Sequence, residues 1–159
     1  MKRLSATDLQ SPVKPHRGFT LIELLVVISI IGLLATLGIG QYRRSQALSR
    51  DARRQSDLSS FRNALEIYYA DNGSYLTTGD VWVDVSSALS SLVPTYIKEL
   101  HSDPGGAGQT YRYRAFDSQQ VYCLEAFLEA QSGTQNSCRR ADGSAITIEA
   151  AYNYGVGNP

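Results

Sequence analysis

An apolar run from Phe19 to Ile39 dominates the hydrophobic pattern of this chain. The run is 21 residues long, and Glu23 is its only ionisable residue. Because a bilayer core of about 30 Å needs roughly 20 helical residues, the run is long enough to span a membrane. The pattern therefore predicts a membrane-spanning helix that carries one carboxylate close to its start.

After this run, apolar residues recur largely at intervals of three and four in a segment that is otherwise polar. The recurring positions are Leu48, Ala52, Leu58, Phe61, Leu65, Tyr68 and Tyr69. No proline interrupts the chain between Phe19 and Asn72, and Asn72 followed by Gly73 is a typical helix end. We therefore expect one continuous helix of about 80 Å, whose first half projects and whose second half packs on a globular head.

Shorter patterns predict the rest of the head. Residues 85–93 indicate a short helix that ends at Pro94, and residues 111–115 alternate between apolar and charged side chains. A second apolar segment, residues 121–128, follows a polar turn, so the two segments predict a β-hairpin, and residues 146–148 predict a third short strand. The expected fold class is α+β, with the long helix packed on a small antiparallel sheet.

The carboxylate of Glu23 needs an explanation. An acidic residue at membrane depth costs about 2.5 to 3.5 kcal/mol even on permissive scales, so it is usually paired. The polar segment before the run holds four basic residues and one acidic residue. A secretory signal peptide fits poorly, because its apolar region is shorter, roughly 7 to 15 residues, and cleavage follows it. A simple membrane anchor remains an alternative, but it leaves the carboxylate without a partner.

The junction between the basic segment and the apolar run resembles a known processing site. Arg17-Gly18, followed by Phe19 and by Glu23, is similar to the cleavage site of type IV pilins and of the related pseudopilins of type II secretion. In that family a membrane peptidase cleaves after the glycine and N-methylates the next residue. The resemblance is close from Arg17 to about Tyr42. It implies that Gly18 ends the leader, that Phe19 becomes the methylated first residue, and that Glu23 is the fifth-position glutamate.

The same resemblance implies three regions and a pilin-like fold. Residues 1–18 would be a cleaved leader, residues 19–40 the transmembrane and filament-core half of the helix, and residues 41–159 an outer head that includes the amphipathic half of the helix to about residue 72. In a bundle of parallel helices, the new amine at Phe19 would face the Glu23 carboxylate of a neighbour. This pair would set the register of the helices more than it adds strength.

The implied function is that of a structural subunit of a type IV pilus or a pilus-like filament. The implied partners are further copies of the chain, the prepilin peptidase and methyltransferase, the pilus assembly machinery and, before assembly, the membrane. The implied location is the inner membrane, with a single pass, and then an extracellular filament or a periplasmic pseudopilus. The alternatives are a pseudopilin of a type II secretion system and a solitary membrane-anchored binding protein.

A turn at residues 103–106 bears on the choice between pilin and pseudopilin. Together with Tyr111 it resembles the aspartate–proline turn of the major type II pseudopilin, in which a calcium loop rich in aspartate follows. Here only Asp117 and Asp142 are available, whereas calcium takes six or more oxygen ligands. We therefore expect no metal, which weakens the pseudopilin interpretation.

Cys123 and Cys138 are the two cysteines of the chain. Two thiols are too few for a four-ligand structural zinc site. In a head outside the cytoplasm a disulfide is their natural state, and closing a loop of about 15 residues stabilises a fold by roughly 3 kcal/mol. The pair then resembles the disulfide-closed C-terminal region of many pilins, and two separate buried thiols are the alternative.

Composition argues against several other functions. Loss of the leader removes four basic residues and one acidic residue, so the remaining 141 residues have a formal charge of minus three and no overall attraction to nucleic acid. His101 is then the only histidine and has no nucleophile motif beside it, and the glycines at residues 105–108 lack the lysine of a phosphate loop. We therefore expect neither an enzyme nor a cofactor.

A basic cluster and two glycines leave alternatives open. The cluster consists of Arg43, Arg44, Arg50, Arg53 and Arg54. It indicates a solvated helix face with local pairs, such as Asp51 with Arg54 and Arg62 with Glu66, or else contact with lipid headgroups or with acidic faces of neighbouring subunits. DNA binding is least favoured, because exposed aromatic residues are missing from this stretch. Gly38 and Gly40 indicate either close helix packing or local loss of helix within a filament.

Overall fold

A single long helix, α1 (Leu21–Asn72), forms the N-terminal part of the structure. In the computed structural model, which describes residues 18–106 and 108–158, α1 is continuous over 52 residues. It ends because Gly73 follows with a φ of +72°, which glycine adopts readily, and donates its N–H to the carbonyl oxygen of Tyr69 at 2.8 Å. The prediction of one uninterrupted helix with this end is confirmed.

The chain divides into two compact units, Met1–Gly40 and Gln41–Pro159. Most of the predicted leader, residues 1–17, lies outside the described residues, and at Leu37 and Gly38 only the backbone is described. The predicted loss of helix near these glycines concerns a filament, whereas the backbone of the single chain is helical there. That expectation stays a prediction.

The first unit consists, in its described part, of the apolar start of α1 and the three residues before it. Its large apolar side chains are exposed, from 86% for Phe19 to 48% for Val26. Among the helices that the structure describes, α1 alone is long and apolar enough to cross a membrane. A contiguous apolar surface of this extent indicates a lipid or protein environment around it.

The second unit contains a five-stranded sheet. Its strands are β1 (Val83–Asp84), β2 (Arg112–Phe116), β3 (Val121–Ala126), β4 (Gln135–Asn136) and β5 (Tyr154–Gly157). They lie in the order β1-β2-β3-β5-β4, and each neighbouring pair is antiparallel except β4 with β5, which is parallel. The α+β class is confirmed, and the sheet is mixed rather than wholly antiparallel.

The main core lies between the second half of α1 and the inner face of the hairpin formed by β2 and β3. Its fully buried members include Leu58, Phe61 and Leu65 of α1 together with Tyr113, Tyr122 and Leu124 of the hairpin. The helix residues recur at intervals of three and four, and the strand residues alternate along the strand. Both periodicities that the sequence predicts are therefore present in this core. Burial of each large side chain contributes roughly 1.5 to 3 kcal/mol, which fixes this part of α1 on the sheet.

The connection from α1 to the hairpin contains the predicted short helix in two pieces. They are α2 (Val85–Ala88) and a 3-10 turn (Ser90–Leu92), both of which precede Pro94. Val85 and Leu92 are buried in the main core. The segment thus contributes to the core with a shorter helix than its sequence predicts.

The outer face of the sheet is covered by the C-terminal segment. The sequence predicts a third strand at residues 146–148, and this prediction is wrong, because the strand that extends the hairpin is β5, paired with β3. Ile146 and Ile148 are nevertheless buried, since they pack with Phe116 and Val121 on the outer face. Their alternation reflects burial against the sheet rather than membership of it.

Candidate assembly site

Thr20 and Glu23 form a reciprocal set of hydrogen bonds at the start of α1. The Thr20 N–H donates to Glu23 Oε2 at 2.8 Å, and the Glu23 N–H donates to Thr20 Oγ1 at 3.3 Å. The Thr20 hydroxyl donates to the same Glu23 Oε2 at 2.7 Å. This is a capping box, which satisfies backbone N–H groups that the first helical turn leaves free. The box therefore holds the Glu23 carboxylate at the first turn of the helix.

The negative charge of Glu23 has no cationic partner among the described residues. Its hydrogen bonds all come from Thr20, which is neutral, and both side-chain contacts use the same oxygen, Oε2. No described residue donates to Oε1. Oε1 is therefore open to a donor from beyond the described residues. The resemblance implies that this donor is the amine of a neighbouring subunit, and that pairing stays a prediction.

The predicted cleavage bond, between Gly18 and Phe19, lies directly before this capped turn. Both residues precede the first helical residue, Leu21, and both are exposed. Apart from its chain neighbours, no heavy atom of a described residue lies within 4 Å of the position that a Cβ of Gly18 would occupy. Exposed, non-helical backbone is the kind of segment that a peptidase can engage. Cleavage and methylation here stay predictions.

In the head, the guanidinium group of Arg54 is fully buried among acidic and amide groups. Its Nε and Nη2 each donate to Asp103 at 2.8 Å, and its Nη1 donates to Asp51 at 2.7 Å. Nη2 also donates to Gln109 at 3.2 Å, and Nη1 lies 2.8 Å from Glu129. The hydrogen bonds to Asp103, followed by those to the other carboxylates, raise the pKa of Arg54 further above its usual range. Arg54 is therefore charged at every accessible pH.

The carboxylates around Arg54 connect separate segments of the head. Asp51 lies one turn earlier in α1 and accepts the N–H groups of Glu129 and Ala130 at 2.9 and 2.8 Å. Glu129 also accepts a hydrogen bond from Arg50 Nε at 2.9 Å, and this bond, together with the nearby guanidinium of Arg54, lowers the pKa of Glu129 to about 2. One buried cation thereby holds together α1, the turn before β2 and the segment after β3.

The structure divides the predicted basic cluster into two groups. Arg50 and Arg54 form ion pairs inside the head, and the predicted Asp51–Arg54 pair is confirmed at 2.7 Å. Arg43, Arg44 and Arg53 are exposed, and no described residue forms an ion pair or a side-chain hydrogen bond with them. These three arginines therefore remain available for a partner outside the chain.

The predicted pair of Arg62 with Glu66 is absent from the ion pairs of the described residues. Glu66 instead accepts the hydroxyl groups of Tyr122 at 2.9 Å and of Tyr75 at 3.1 Å. The two tyrosines belong to β3 and to the loop after α1, so their contact with Glu66 adds polar links to the main core. Burial, aided by the nearby Glu66 charge, raises the pKa of both hydroxyls.

Cys123 and Cys138 form a disulfide bond, as predicted. Cys123 belongs to β3, Cys138 follows β4, and their Cα atoms are 5.5 Å apart in a fully buried site. A Cβ at the adjacent Gly157 of β5 would lie only 3.1 Å from Cys138 Cα, so a larger residue there would require the backbone around Cys138 to shift slightly. The bond attaches the C-terminal segment to the outer face of the sheet.

Glu125 lies two residues after Cys123 on the same outer face and is fully buried. Its Oε2 accepts the Glu149 N–H at 3.1 Å, whereas Oε1 has no hydrogen-bond partner among the described residues. Arg112 Nη1 is 3.9 Å from that Oε1 and donates instead to the carboxylate of Glu149. Burial raises the pKa of Glu125 to about 7. This carboxyl group therefore titrates near neutral pH.

His101 borders a shallow cavity of about 330 Å³ beside the start of α2. Its Nδ1 lies 3.6 Å from Asp57 Oδ1, and its Nε2 lies 3.3 Å from Glu99 Oε1. The other oxygen of Asp57 accepts the hydroxyl of Tyr111 at 2.7 Å. In the part of the chain that the structure describes, no three histidine, cysteine or acidic side chains are placed to hold a metal ion. We assign this cluster the structural task of tying the turn before β2 to α1.

The buried position of Arg54 is the feature that sequence reasoning missed. The three-residue spacing of Asp51 and Arg54 predicts their contact, but the same spacing occurs on solvated helices and gives no sign of burial. The partners Asp103 and Glu129 lie about 50 and 75 residues further along the chain, so local patterns cannot reveal them.

Comparison with known proteins finds a family motif at the predicted start of the mature chain. The family described as "Prokaryotic N-terminal methylation motif" matches residues 13–39. The type II secretion system core protein G of Escherichia coli (strain K12) is 37% identical over 117 residues, which cover 65% of this chain and 72% of that protein. The corresponding protein of Aeromonas hydrophila is 36% identical over 129 residues, covering 75% of this chain and 87% of that protein.

Similarity also extends to a pilin. The type IV major fimbrial protein FimA of Dichelobacter nodosus is 31% identical over 132 residues, which cover 83% of this chain and 81% of that protein. No solved structure matches this chain. The similarity to these proteins, named for a pilus or for a secretion system, covers between 65% and 83% of this chain. The chain therefore belongs to the family of type IV pilins and type II secretion pseudopilins.

Proposed function

We propose that this protein is a structural subunit of a type IV pilus or a pilus-like filament, made as a precursor and processed before assembly. The leader, residues 1–18, is removed between Gly18 and Phe19, and Phe19 is then N-methylated. Residues 19–40 span the inner membrane once and later form the filament core, and residues 41–159 form the head outside the cytoplasm. The observation that carries this proposal is a capped carboxylate, at Glu23, beside an exposed junction at the start of the exposed apolar part of α1.

The role of Glu23 in the proposal is to pair with the methylated amine of a neighbouring subunit. Leaving either charge alone in an apolar bundle is expensive, and pairing removes both penalties. The capping box supports this role, because it fixes the carboxylate at the first turn of α1 while its second oxygen stays open. The partners are then further copies of the chain, the prepilin peptidase and the assembly machinery. Members of this family serve as structural subunits rather than as enzymes.

A second candidate function is that of a pseudopilin in a type II secretion system. It is favoured by the similarity to proteins named type II secretion system core protein G. The turn at Asp103 is compatible with a pseudopilin. In this structure the carboxylate of Asp103 accepts hydrogen bonds from the buried guanidinium of Arg54. In this case the same processing and the same helix packing produce a periplasmic filament that supports export.

Intact-mass analysis of protein from native membranes and from sheared surface material tests the proposal. A chain that starts at N-methylated Phe19, is two hydrogens lighter before reduction and occurs in the sheared fraction supports a pilus subunit. The same mass confined to membranes, together with loss of export in a deletion strain, supports the pseudopilin. An intact leader in both fractions contradicts the proposed processing and favours a simple anchor.

A further inference from the structure

Two arginines just past the apolar run, Arg43 and Arg44, have no counter-charge in the described part of the chain. Both are exposed, and no described residue forms an ion pair or a side-chain hydrogen bond with them. Asp51, the next acidic residue along α1, is already bonded to a buried guanidinium and to two backbone N–H groups. Residues 41–49 therefore carry two positive charges and no negative one.

Chain connectivity places these two arginines close to the membrane surface. They follow Gly40, the last residue of the proposed membrane-spanning segment, by three and four residues, so even an extended chain keeps them within about 14 Å of its end. Along a helix the distance is only about 6 Å. The headgroup layer on each side of a bilayer is roughly 5 to 7 Å thick. The guanidinium groups therefore reach the depth of the lipid phosphates.

Tyr42 reinforces this placement. Its side chain is 66% exposed, and its hydroxyl accepts a hydrogen bond from Gln46 Nε2 at 2.7 Å. Tyrosine is enriched at membrane interfaces, where the ring contacts acyl chains and the hydroxyl contacts polar groups. A tyrosine directly before two unpaired arginines is the combination that suits a boundary between hydrocarbon and phosphate.

A second copy of the chain does not supply the missing negative charge at this depth. A parallel neighbour in the same membrane presents its own Arg43 and Arg44 there, so the contact between copies is repulsive. Arg53 differs from these two, because it lies about 14 Å further along the helix and therefore beyond the headgroup layer. Phosphate groups of lipids are the remaining source of counter-charge at the position of Arg43 and Arg44.

We propose that Tyr42, Arg43 and Arg44 form a headgroup-binding segment that recognises anionic phospholipids. Arginine binds phosphate through parallel, charge-assisted hydrogen bonds, which suits a lipid with net negative charge better than a zwitterionic one. The segment helps to hold the unassembled subunit in the bilayer. Its contacts with lipid headgroups are lost when the subunit leaves the membrane for a filament. The inference rests on the membrane placement that is proposed above.

The test uses the full chain reconstituted in phosphatidylcholine vesicles that contain a trace of spin-labelled lipid. Electron paramagnetic resonance measures the motionally restricted fraction for labelled phosphatidylglycerol and, separately, for labelled phosphatidylcholine. The ratio of the two is the selectivity for the anionic lipid. It is compared among the unchanged chain, the double variant Arg43→Gln/Arg44→Gln, and the control Arg53→Gln. The basic residues of the leader are the same in all three.

The expected result is a loss of selectivity in the double variant, by up to about fivefold for each arginine, and no change in the control. High salt should reduce the selectivity of the unchanged chain toward that of the double variant. Equal selectivity in all three chains overturns the proposal, and so does an equal loss in Arg53→Gln. A double variant that keeps its selectivity and self-associates less overturns it in favour of a protein partner. Chains that fail to float with the vesicles contradict the membrane placement itself.

Discussion

Arg54 and Asp103 form a two-pronged, fully buried ion pair that joins α1 to the turn before β2. Both donor–acceptor distances, from Nε and from Nη2, are 2.8 Å, and the two side chains are 0% and 1% exposed. Gly105 makes this contact possible, because a Cβ there would lie 2.6 Å from Arg54 Nη2. The position of the turn on α1 therefore depends on a charge pair rather than on apolar packing alone.

Replacement of Arg54 by methionine should strongly destabilise the head. The variant keeps an unbranched chain about as long as the arginine stem but leaves the buried carboxylates of Asp51 and Asp103 without their cation. Removing one partner of a buried ion pair typically costs about 3 to 5 kcal/mol of unfolding free energy. Urea unfolding of the full chain in detergent, followed by fluorescence of the single tryptophan, Trp82, measures this loss.

The matched control is Arg53→Met, which changes the neighbouring arginine on the exposed side of α1. Its unfolding free energy should stay within about 0.5 kcal/mol of that of the unchanged chain. Similar losses in the two variants would mean that the arginines act through helix propensity or net charge, and the proposed importance of the buried pair would then be wrong.

The contrast between Glu23 and Arg54 shows what a sequence reveals of this protein and what it conceals. Glu23 stands out because a charge within an apolar run violates a local pattern. The extent of α1 follows from that run and from the apolar residues that recur at helical spacing after it. Arg54 sits among other charged residues at an ordinary helical spacing, and its partners lie far along the chain. Likewise β5 is four residues long and half glycine, so its pairing with β3 is decided by tertiary packing that no local pattern contains.

Removal of the disulfide should weaken the C-terminal segment. The double variant Cys123→Ser/Cys138→Ser loses a link across 15 residues, which corresponds to about 3 kcal/mol of unfolding free energy in the chain-entropy estimate. Because Cys138 anchors the segment that covers the outer face, limited proteolysis should cut this segment first. Reduction of the unchanged chain is the control and should reproduce both effects. Equal stability of the oxidised and reduced chains would contradict this account.

Replacement of Glu125 by glutamine should make the head more stable at neutral pH. Burial raises the pKa of Glu125 to about 7 from an ordinary value of 4.5, so the folded protein binds this proton more tightly than the unfolded chain does. The contribution of Glu125 to stability is therefore complete below about pH 4.5 and is lost as the pH rises to about 7. The full loss corresponds to about 3 kcal/mol.

The pH dependence of unfolding separates this effect from a general change in packing. From pH 4.5 to pH 7, the unfolding free energy of Glu125→Gln should increasingly exceed that of the unchanged chain. Above about pH 7 the difference should level off. Glu99→Gln is the control, because it is the same substitution at a side chain that is 69% exposed, and it should show no such growth of the difference with pH. A difference that is constant over this pH range would show that Glu125 does not titrate there.

Gly18→Ala should impair removal of the leader without disturbing the fold. A Cβ at this position meets no atom of a described residue within 4 Å, so we expect its effect to come from recognition by the peptidase rather than from a steric clash in the fold. Gly40→Ala is the matched control, since its Cβ also meets no neighbouring atom. Immunoblots of whole cells should show precursor accumulating for Gly18→Ala and normal mature chain for Gly40→Ala. Normal processing of Gly18→Ala would place the cleavage site elsewhere.

Two substitutions of Glu23 distinguish its charge from its part in the capping box. Glutamine keeps an oxygen that can accept the hydrogen bonds of Thr20, whereas alanine removes both the charge and the cap, which is worth about 1 kcal/mol. If Glu23 pairs with the amine of a neighbour, both variants should be processed and inserted in the membrane but absent from sheared filaments. Filaments formed by Glu23→Gln and lost only in Glu23→Ala would instead assign the role of Glu23 to the helix cap. Thr20→Ser retains the hydroxyl and should assemble like the unchanged chain in either case.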